Sequence, residues 1–270
     1  MTPAPDLVDA ALQSLAREVG LEAARFVAAS RPEGRVQVAA TKSSPTDAVT
    51  EIDRACEALV RERILAARPD DGFVGEEGDD VPGATGVEWV VDPIDGTVNF
   101  VYGIPEYAVS IAARRDGRVV AGHVVNVVSG EEWGAVAGAG AWRHVGDDRR
   151  MLRAPAPESV AHALVGTGFH YRRELREKQG PAVARLLPHV RDIRRTGSAA
   201  LNLCWLAEGR LDVFVEQGLG PWDLAAGGLV AAESGMLLAG LTDGPDERLV
   251  MAAHPAIAEE YFALVRACGF

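Results

Sequence analysis

The sequence predicts a layered α+β fold, and three observations carry that reading. The run VEWVV at 87–91 is rich in β-branched residues, short enough for a buried strand, and stops at Asp92. Between 107 and 142, apolar stretches are broken by RRDGR and VSGEE, as antiparallel strands joined by turns would be. After that the chain alternates strand-like and helix-like segments, with no repeat, low-complexity tract or linker between the halves. The expectation is one unit over 1–270, with an α+β half over about 1–150 that carries the acidic motifs and an α/β half over 151–270 that contributes Asp223.

Each element follows from its pattern. Residues 7–28 place Leu7, Val8, Leu12, Leu15, Val19 and Phe26 at helical spacing, disturbed at Gly20. A polar stretch, TKSSPTD, reads as a loop to about Asp47. From Thr50 the spacing of Ile52, Cys56, Leu59, Val60 and Ile64 makes an apolar stripe on a second helix, with Asp53 near its start. A short helix is expected from Thr97. In the second half, strands are expected at 164–167, 211–216 and 249–252, and helices at 172–187, from Ser198, from about Trp222 and from Pro255.

Composition narrows the class. A chain of 270 residues that is 48% hydrophobic, with no apolar run of membrane-spanning length, reads as a soluble globular protein with no membrane partner. Its first residues, MTPAPDLVDAALQ, lack the basic-then-apolar pattern of a secretory signal, and Cys56, Cys204 and Cys268 are odd in number and far apart. A cytoplasmic location with buried free thiols is the expectation, and zinc or iron–sulfur ligation is not. Acids outnumber bases 39 to 27, for a formal charge of −12, which disfavours direct nucleic-acid contact. The arginine pairs 114–115, 149–150, 172–173 and 194–195 read as solvated faces or ion-pair partners, and the six histidines as structural or surface residues.

The stretch WVVDPIDGTVNF at 89–100 carries the chemistry. An acid that ends a buried strand lies where α/β folds place ligands, and Pro93 with Gly96 stiffens the turn that presents Asp95 beside Asp92. The N–H groups of Gly96 and Thr97 would face the same cavity as an anion site. Carboxylates and an anion site belong together when metal ions lie between them, and Mg²⁺ fits because it prefers oxygen ligands and is commonly bound by a few carboxylates plus substrate phosphate. Glu76 and Glu77 in FVGEEG add further acid, of which one is expected to enter the cavity because successive extended residues face opposite ways. Asp223 in GPWDLAAGG stands in the first turn of an expected helix followed by small residues.

Taken together, KSSPTDAVTEID (42–53), VGEEG (74–78), WVVDPIDGTVNFVYGIP (89–105), TGSAALNLC (196–204) and PWDLAAGGLVAAESG (221–235) resemble the inositol monophosphatase family, part of the lithium-sensitive, magnesium-dependent phosphatase superfamily. The resemblance implies a layered α/β/α/β/α sandwich of the inositol monophosphatase/fructose-1,6-bisphosphatase type. It also implies a homodimer that hydrolyses a small phosphate monoester, inositol monophosphate first. Carried over by residue, it assigns two or three Mg²⁺ ions to Glu76, Asp92, Asp95, Asp223 and the carbonyl of Ile94, with Asp92 bridging two of them. Thr97 would orient the attacking water, with Asp53 or Glu76 taking its proton. Gly96 and Thr97 would hold the phosphate, and Gly197, Ser198, Ala199, Glu216 and Asp223 would contact the alcohol.

Pro221 departs from the cysteine of many relatives and touches the substrate wall in that reading. Lys42 could neutralise the acidic cavity or remain solvated, and Trp89 and Trp222 are expected to shield the acids. Histidinol phosphate, fructose 1,6-bisphosphate and nucleotide 3′-phosphates are alternative substrates within the resemblance. A regulatory role in transcription or ribosome maturation is the alternative outside it.

Overall fold

The structure, a computed structural model, describes residues 6–42, 48–145, 148–242 and 244–270. Helix α1 (Leu7–Ser30) is followed by a two-stranded antiparallel pair, β1 (Ala40–Thr41) and β2 (Ala48–Val49), and by α2 (Glu51–Ala67). The larger sheet then forms from β3 (Gly72–Gly75), β4 (Val87–Asp95), β5 (Ala108–Arg115), β6 (Arg118–Asn126), β7 (Glu132–Val136), β8 (Gly140–Val145) and β9 (Asp148–Met151). Its strands lie side by side in chain order; β3 and β4 are parallel and the rest antiparallel. A six-residue helix, α3 (Thr97–Tyr102), interrupts the chain between β4 and β5.

The smaller sheet has five strands, β10 (Leu164–Thr167), β11 (Asp192–Arg194), β12 (Val213–Glu216), β13 (Leu237–Ala239) and β14 (Val250–Ala253), in the order β11-β10-β12-β14-β13. Around it stand α4 (Arg173–Leu186), α5 (Ala199–Glu208), α6 (Pro221–Glu233) and α7 (Ala258–Ala267).

Alternation along the strands sets the layers. On one face of the larger sheet, Trp89 and Val91 of β4 join Val109 and Ile111 of β5 in a core with Leu12 and Val19 of α1 and Val60 and Ile64 of α2. The residue between them, Val90, faces the other way with Ala108 and Ala112 and packs on Ala200, Leu201, Ala226 and Val230 of α5 and α6. The smaller sheet divides likewise: Phe214 packs with Leu203, Leu206 and Ala231 of α5 and α6, whereas Val213 and Val215 pack with Ala182 and Leu186 of α4 and Tyr261 and Val265 of α7. The order α1/α2, sheet, α5/α6, sheet, α4/α7 is the α/β/α/β/α sandwich that the resemblance implied.

Several boundaries differ from the sequence reading. The strand expected to stop at Asp92 continues to Asp95, because a register shift between those residues lets the chain rejoin β5 at Ala108 after passing Pro93. The last helix starts at Ala258 rather than Pro255, since a turn precedes it. Strands β3, β11 and β13 are short segments at or beside sheet edges that the sequence reading did not name as strands. The loop expected to end near Asp47 lies partly outside the described residues.

Candidate active site

The two aspartates of the opening motif meet where β4 leaves the larger sheet. Ile94 donates its N–H to Asp92 Oδ1 at 3.0 Å, which closes the bulge and turns Asp92 and Asp95 toward one cavity. Asp95 is fixed from across the molecule: its Oδ2 accepts the Ala200 N–H at 2.7 Å and the Ser198 hydroxyl, and its Oδ1 accepts the Ala199 N–H at 3.3 Å. These donors belong to the start of α5, so the carboxylate satisfies orphan N–H groups at a positive helix end. Asp223, in the first turn of α6, accepts the Gly220 N–H at 2.6 Å. One oxygen from each of Asp92, Asp95 and Asp223 lies within 4.8 Å of the others.

Glu76 follows the end of β3 and lines the same cavity, whereas Glu77 does not. Lys42 Nζ lies 2.7 Å from Glu76 Oε1 and 2.5 Å from Glu77 Oε1, so the lysine bridges both members of the pair and offsets one of their two charges. Burial raises the Glu76 carboxyl, and Lys42 opposes that rise. Burial pulls the Lys42 amine down, but Glu76 and Glu77 outweigh it and leave the amine raised.

Thr97 opens α3 behind Gly96, which holds φ at +98°; a Cβ there would stand 3.0 Å from the Glu106 carbonyl oxygen. The Thr97 hydroxyl lies 3.2 Å from Asp53 Oδ1 and 3.1 Å from the Ile94 carbonyl oxygen. Asp53 itself caps α2, accepting the Thr50 N–H at 2.9 Å and the Thr50 hydroxyl. It does not line the cavity and reaches it through Thr97. Asn99 of α3 donates to the carbonyls of Glu106 and Thr196, both at 2.7 Å, and so ties this corner to the loop that carries Gly197.

The cavity, about 550 Å³, is walled on its far side by the smaller sheet. Gly197 and Ala199 line it, while the Ser198 hydroxyl is turned onto Asp95. Glu216 projects from the end of β12 directly against Gly168, where Glu216 Oε1 leaves no room for a Cβ. Pro221 and Trp222 line it beside Asp223, while Trp89 is in the core and donates to Asp71 at 2.9 Å.

His170 also lines the cavity, while His123 and His144 are buried in the larger sheet. The arginine pairs divide similarly. Arg114 pairs with Glu88, Arg115 with Asp6 and Asp9, Arg173 with Glu177 and Arg194 with Asp192, but Arg172 and Arg195 line the cavity. No local pattern marks His170 or Arg195, since both reach the cavity through loops at the ends of the smaller sheet. The three cysteines are buried and unbonded.

The electrostatics point to a cation. Burial, then Glu76, Asp95 and Asp223, hold the Asp92 carboxyl well above its ordinary range; burial, then Asp95 and Glu76, do the same to Asp223. Burial pushes Asp95 up to about 6 against the pull of its donors from α5. Burial likewise raises Asp53 to about 6 and Glu216 to about 8, with Arg195 opposing the rise at Glu216. Among the described residues no lysine or arginine forms an ion pair with Asp92, Asp95 or Asp223. Three converging hard oxygen donors that repel one another suit a small divalent ion such as Mg²⁺.

A cavity at the end of a strand, with acids drawn from both halves of an α/β/α/β/α sandwich, defines a class of protein, and comparison with known proteins gives the same class. Residues 6–269 match the model of the inositol monophosphatase family. The chain is 46% identical to an inositol-1-monophosphatase SuhB of Mycobacterium tuberculosis, over 97% of this chain and 96% of that protein. It is 36% identical to a Nus factor SuhB of Pasteurella multocida, over 87% and 89%. Among solved structures, M. tuberculosis SuhB superposes with a TM-score of 0.84 at 43% identity, over 98% of this chain and 99% of that one. An IMPase of Thermotoga maritima gives 0.83 at 27% identity, over 94% and 96%. The chain belongs to the inositol monophosphatase family.

Proposed function

We propose that this protein is a Mg²⁺-dependent phosphomonoesterase acting on a small polyol phosphate, with inositol monophosphate first among substrates. The observation that carries the reading is the convergence of Asp92, Asp95 and Asp223 on the floor of a cavity of about 550 Å³. When bound by these acids with Glu76 and the Ile94 carbonyl, Mg²⁺ would supply positive charge to the phosphate and to the leaving oxygen. The first N–H groups of α3, from Gly96 and Thr97, take the phosphate.

The Thr97 hydroxyl, held between Asp53 and the Ile94 carbonyl, orients the attacking water. Asp53, raised to about 6 and placed behind that hydroxyl, receives the proton through Thr97 Oγ1, and Glu76 is the other acceptor at the cavity. Attack at phosphorus breaks the P–O ester bond; the leaving alkoxide takes a proton from solvent water and departs as the alcohol, and inorganic phosphate is released. Gly197, Ala199 and Glu216 face the alcohol, where a carboxyl raised to about 8 both donates and accepts hydrogen bonds with hydroxyls. A homodimer in the cytoplasm completes the reading, and sedimentation tests the assembly.

Phosphate release from inositol 1-phosphate, histidinol phosphate, fructose 1,6-bisphosphate and a nucleotide 3′-phosphate, with Mg²⁺ and with or without Li⁺, tests the activity; no turnover on any of them defeats it. The Nus-factor names among the relatives favour one second reading, a regulatory protein partner in transcription. Asp95→Asn separates the two: a catalytic role loses hydrolysis and phenotype together, whereas a binding role keeps the phenotype.

A further inference from the structure

Beside the acid-lined cavity lies a second one of about 430 Å³ with the opposite electrostatic character. Arg35, Arg176 and Arg195 line it from three separate segments: the stretch after α1, helix α4, and the turn between β11 and α5. No acidic side chain is among its described lining residues, although the chain carries a net charge of −12. Among the described residues most arginines of the first half pair with carboxylates, but these three form no ion pair. Arg35 is nonetheless held in place. Its guanidinium lies 4.0 Å from the centre of the Tyr102 ring, and it donates to the Tyr102 hydroxyl at 2.5 Å.

The two cavities adjoin, since Phe169, His170, Tyr171 and Arg195 line both. Arg195 marks the junction, close enough to Asp95 and Glu216 to pull both carboxyls down. Helix α3 sets the distance between them. Thr97 at its start faces the phosphate side and Tyr102 at its end faces the arginines, five residues on, so the helix rise separates them by about 8 Å. That is the reach of a pentose or hexose backbone. A pocket of separate guanidinium groups with aromatic walls recognises a phosphate or carboxylate by charge-assisted hydrogen bonds, and an adjoining sugar by contact with rings.

Resting on the phosphatase reading of the first cavity, we infer that the second cavity is a subsite for a distal anionic group on the alcohol part of the substrate. A phosphate monoester that carries a second phosphate or a carboxylate a sugar's length away is then bound more tightly than the same sugar monophosphate without it. Arg35 and Arg176 determine this specificity, and Arg195 joins the subsite to the reaction centre.

Steady-state kinetics with Mg²⁺ on fructose 1,6-bisphosphate and fructose 1-phosphate test the inference, in the full-length protein and in Arg35→Ala and Arg176→Ala. The wild type is expected to show a lower KM for the bisphosphate. Each variant should erode that preference, the ratio of the two KM values moving about tenfold, as expected for one charged hydrogen bond. Arg173→Ala, which removes a neighbouring exposed charge outside both cavities, serves as the control and should not move the ratio. Equal KM values for the two substrates in the wild type, or variants and control that behave alike, would overturn the subsite. If neither fructose ester is hydrolysed while inositol 1-phosphate is, the phosphatase reading stands apart from the subsite. Calorimetric binding of the bisphosphate then judges the subsite: binding lost in both variants supports it, and binding absent or unchanged overturns it.

Discussion

At the scale of single residues, the site is a set of acids held where their ionised forms are disfavoured. Burial raises Asp53 from 3.8 to about 6, Asp95 from 3.8 to about 6 and Glu216 from 4.5 to about 8. In the unfolded chain these groups return to ordinary values, so the folded state binds more protons between those limits. Their contribution to stability is complete below the unfolded pKa and is lost as pH rises through the folded one. The melting temperature of the protein in chelator should therefore fall as pH rises from about 4 to about 8. A flat profile across that range would contradict the electrostatics described for the cavity. Asp92 sharpens the point because burial and three carboxyl neighbours all oppose its charge. Asp92→Asn should abolish phosphate release yet raise the melting temperature in chelator by about 3 °C, the shift that about 1 kcal/mol gives in a chain of this size. A lower melting temperature for this variant would sink the argument that function is retained here against stability.

At the scale of elements, the larger sheet, the short helix α3 and the start of α5 build one corner. Asp95 ends β4 and takes three donors from the first turn of α5, whose own cap is the Ser198 hydroxyl accepting the Leu201 N–H at 3.2 Å. Ser198→Ala removes both roles of one oxygen. It should lower the melting temperature by about 3 °C, as the loss of an N-cap costs about 1 kcal/mol, and weaken Mg²⁺ binding by about tenfold because Asp95 loses a positioning donor. Calorimetric titration with Mg²⁺ checks the second effect, and unchanged affinity would show that Asp95 needs no orientation from α5. This contact also marks how far the sequence could be read. The long helices, the central strands and the acids of the motif were legible because apolar periodicity, Thr50 and Pro93 act locally. The Asp95–α5 contact joins residues more than a hundred positions apart, so no local pattern could announce it. The edge strands β3 and β11 run only four and three residues, too short for alternation to register. His170 and Arg195 reach the cavity only through the path of loops, and so read as ordinary surface residues.

At the scale of the whole molecule, the middle helical layer does the joining. Helices α5 and α6 pack against the larger sheet through Ala200, Leu201 and Val230 and against the smaller one through Leu203, Leu206 and Ala231, so without them each sheet would lose the cover of one of its two faces. Asp223 sits on α6 in this shared layer, while Asp92 and Asp95 sit on the larger sheet. A cation bound by all three would tie the helical layer to the sheet and would be lost on unfolding, because the acids lie far apart in the sequence. Melting should accordingly be a single transition, and Mg²⁺ should raise its midpoint. At a hundredfold excess over Kd the gain is about 2.7 kcal/mol, or about 5–10 °C for a chain of this length. Asp223→Asn keeps the fold, because the amide oxygen can still accept the Gly220 N–H, but removes the link between the layers, so most of that shift should disappear. Two separate transitions would show that the halves do not depend on their shared helices. A single transition indifferent to saturating Mg²⁺ would show instead that the acids, though gathered, do not hold a cation in common.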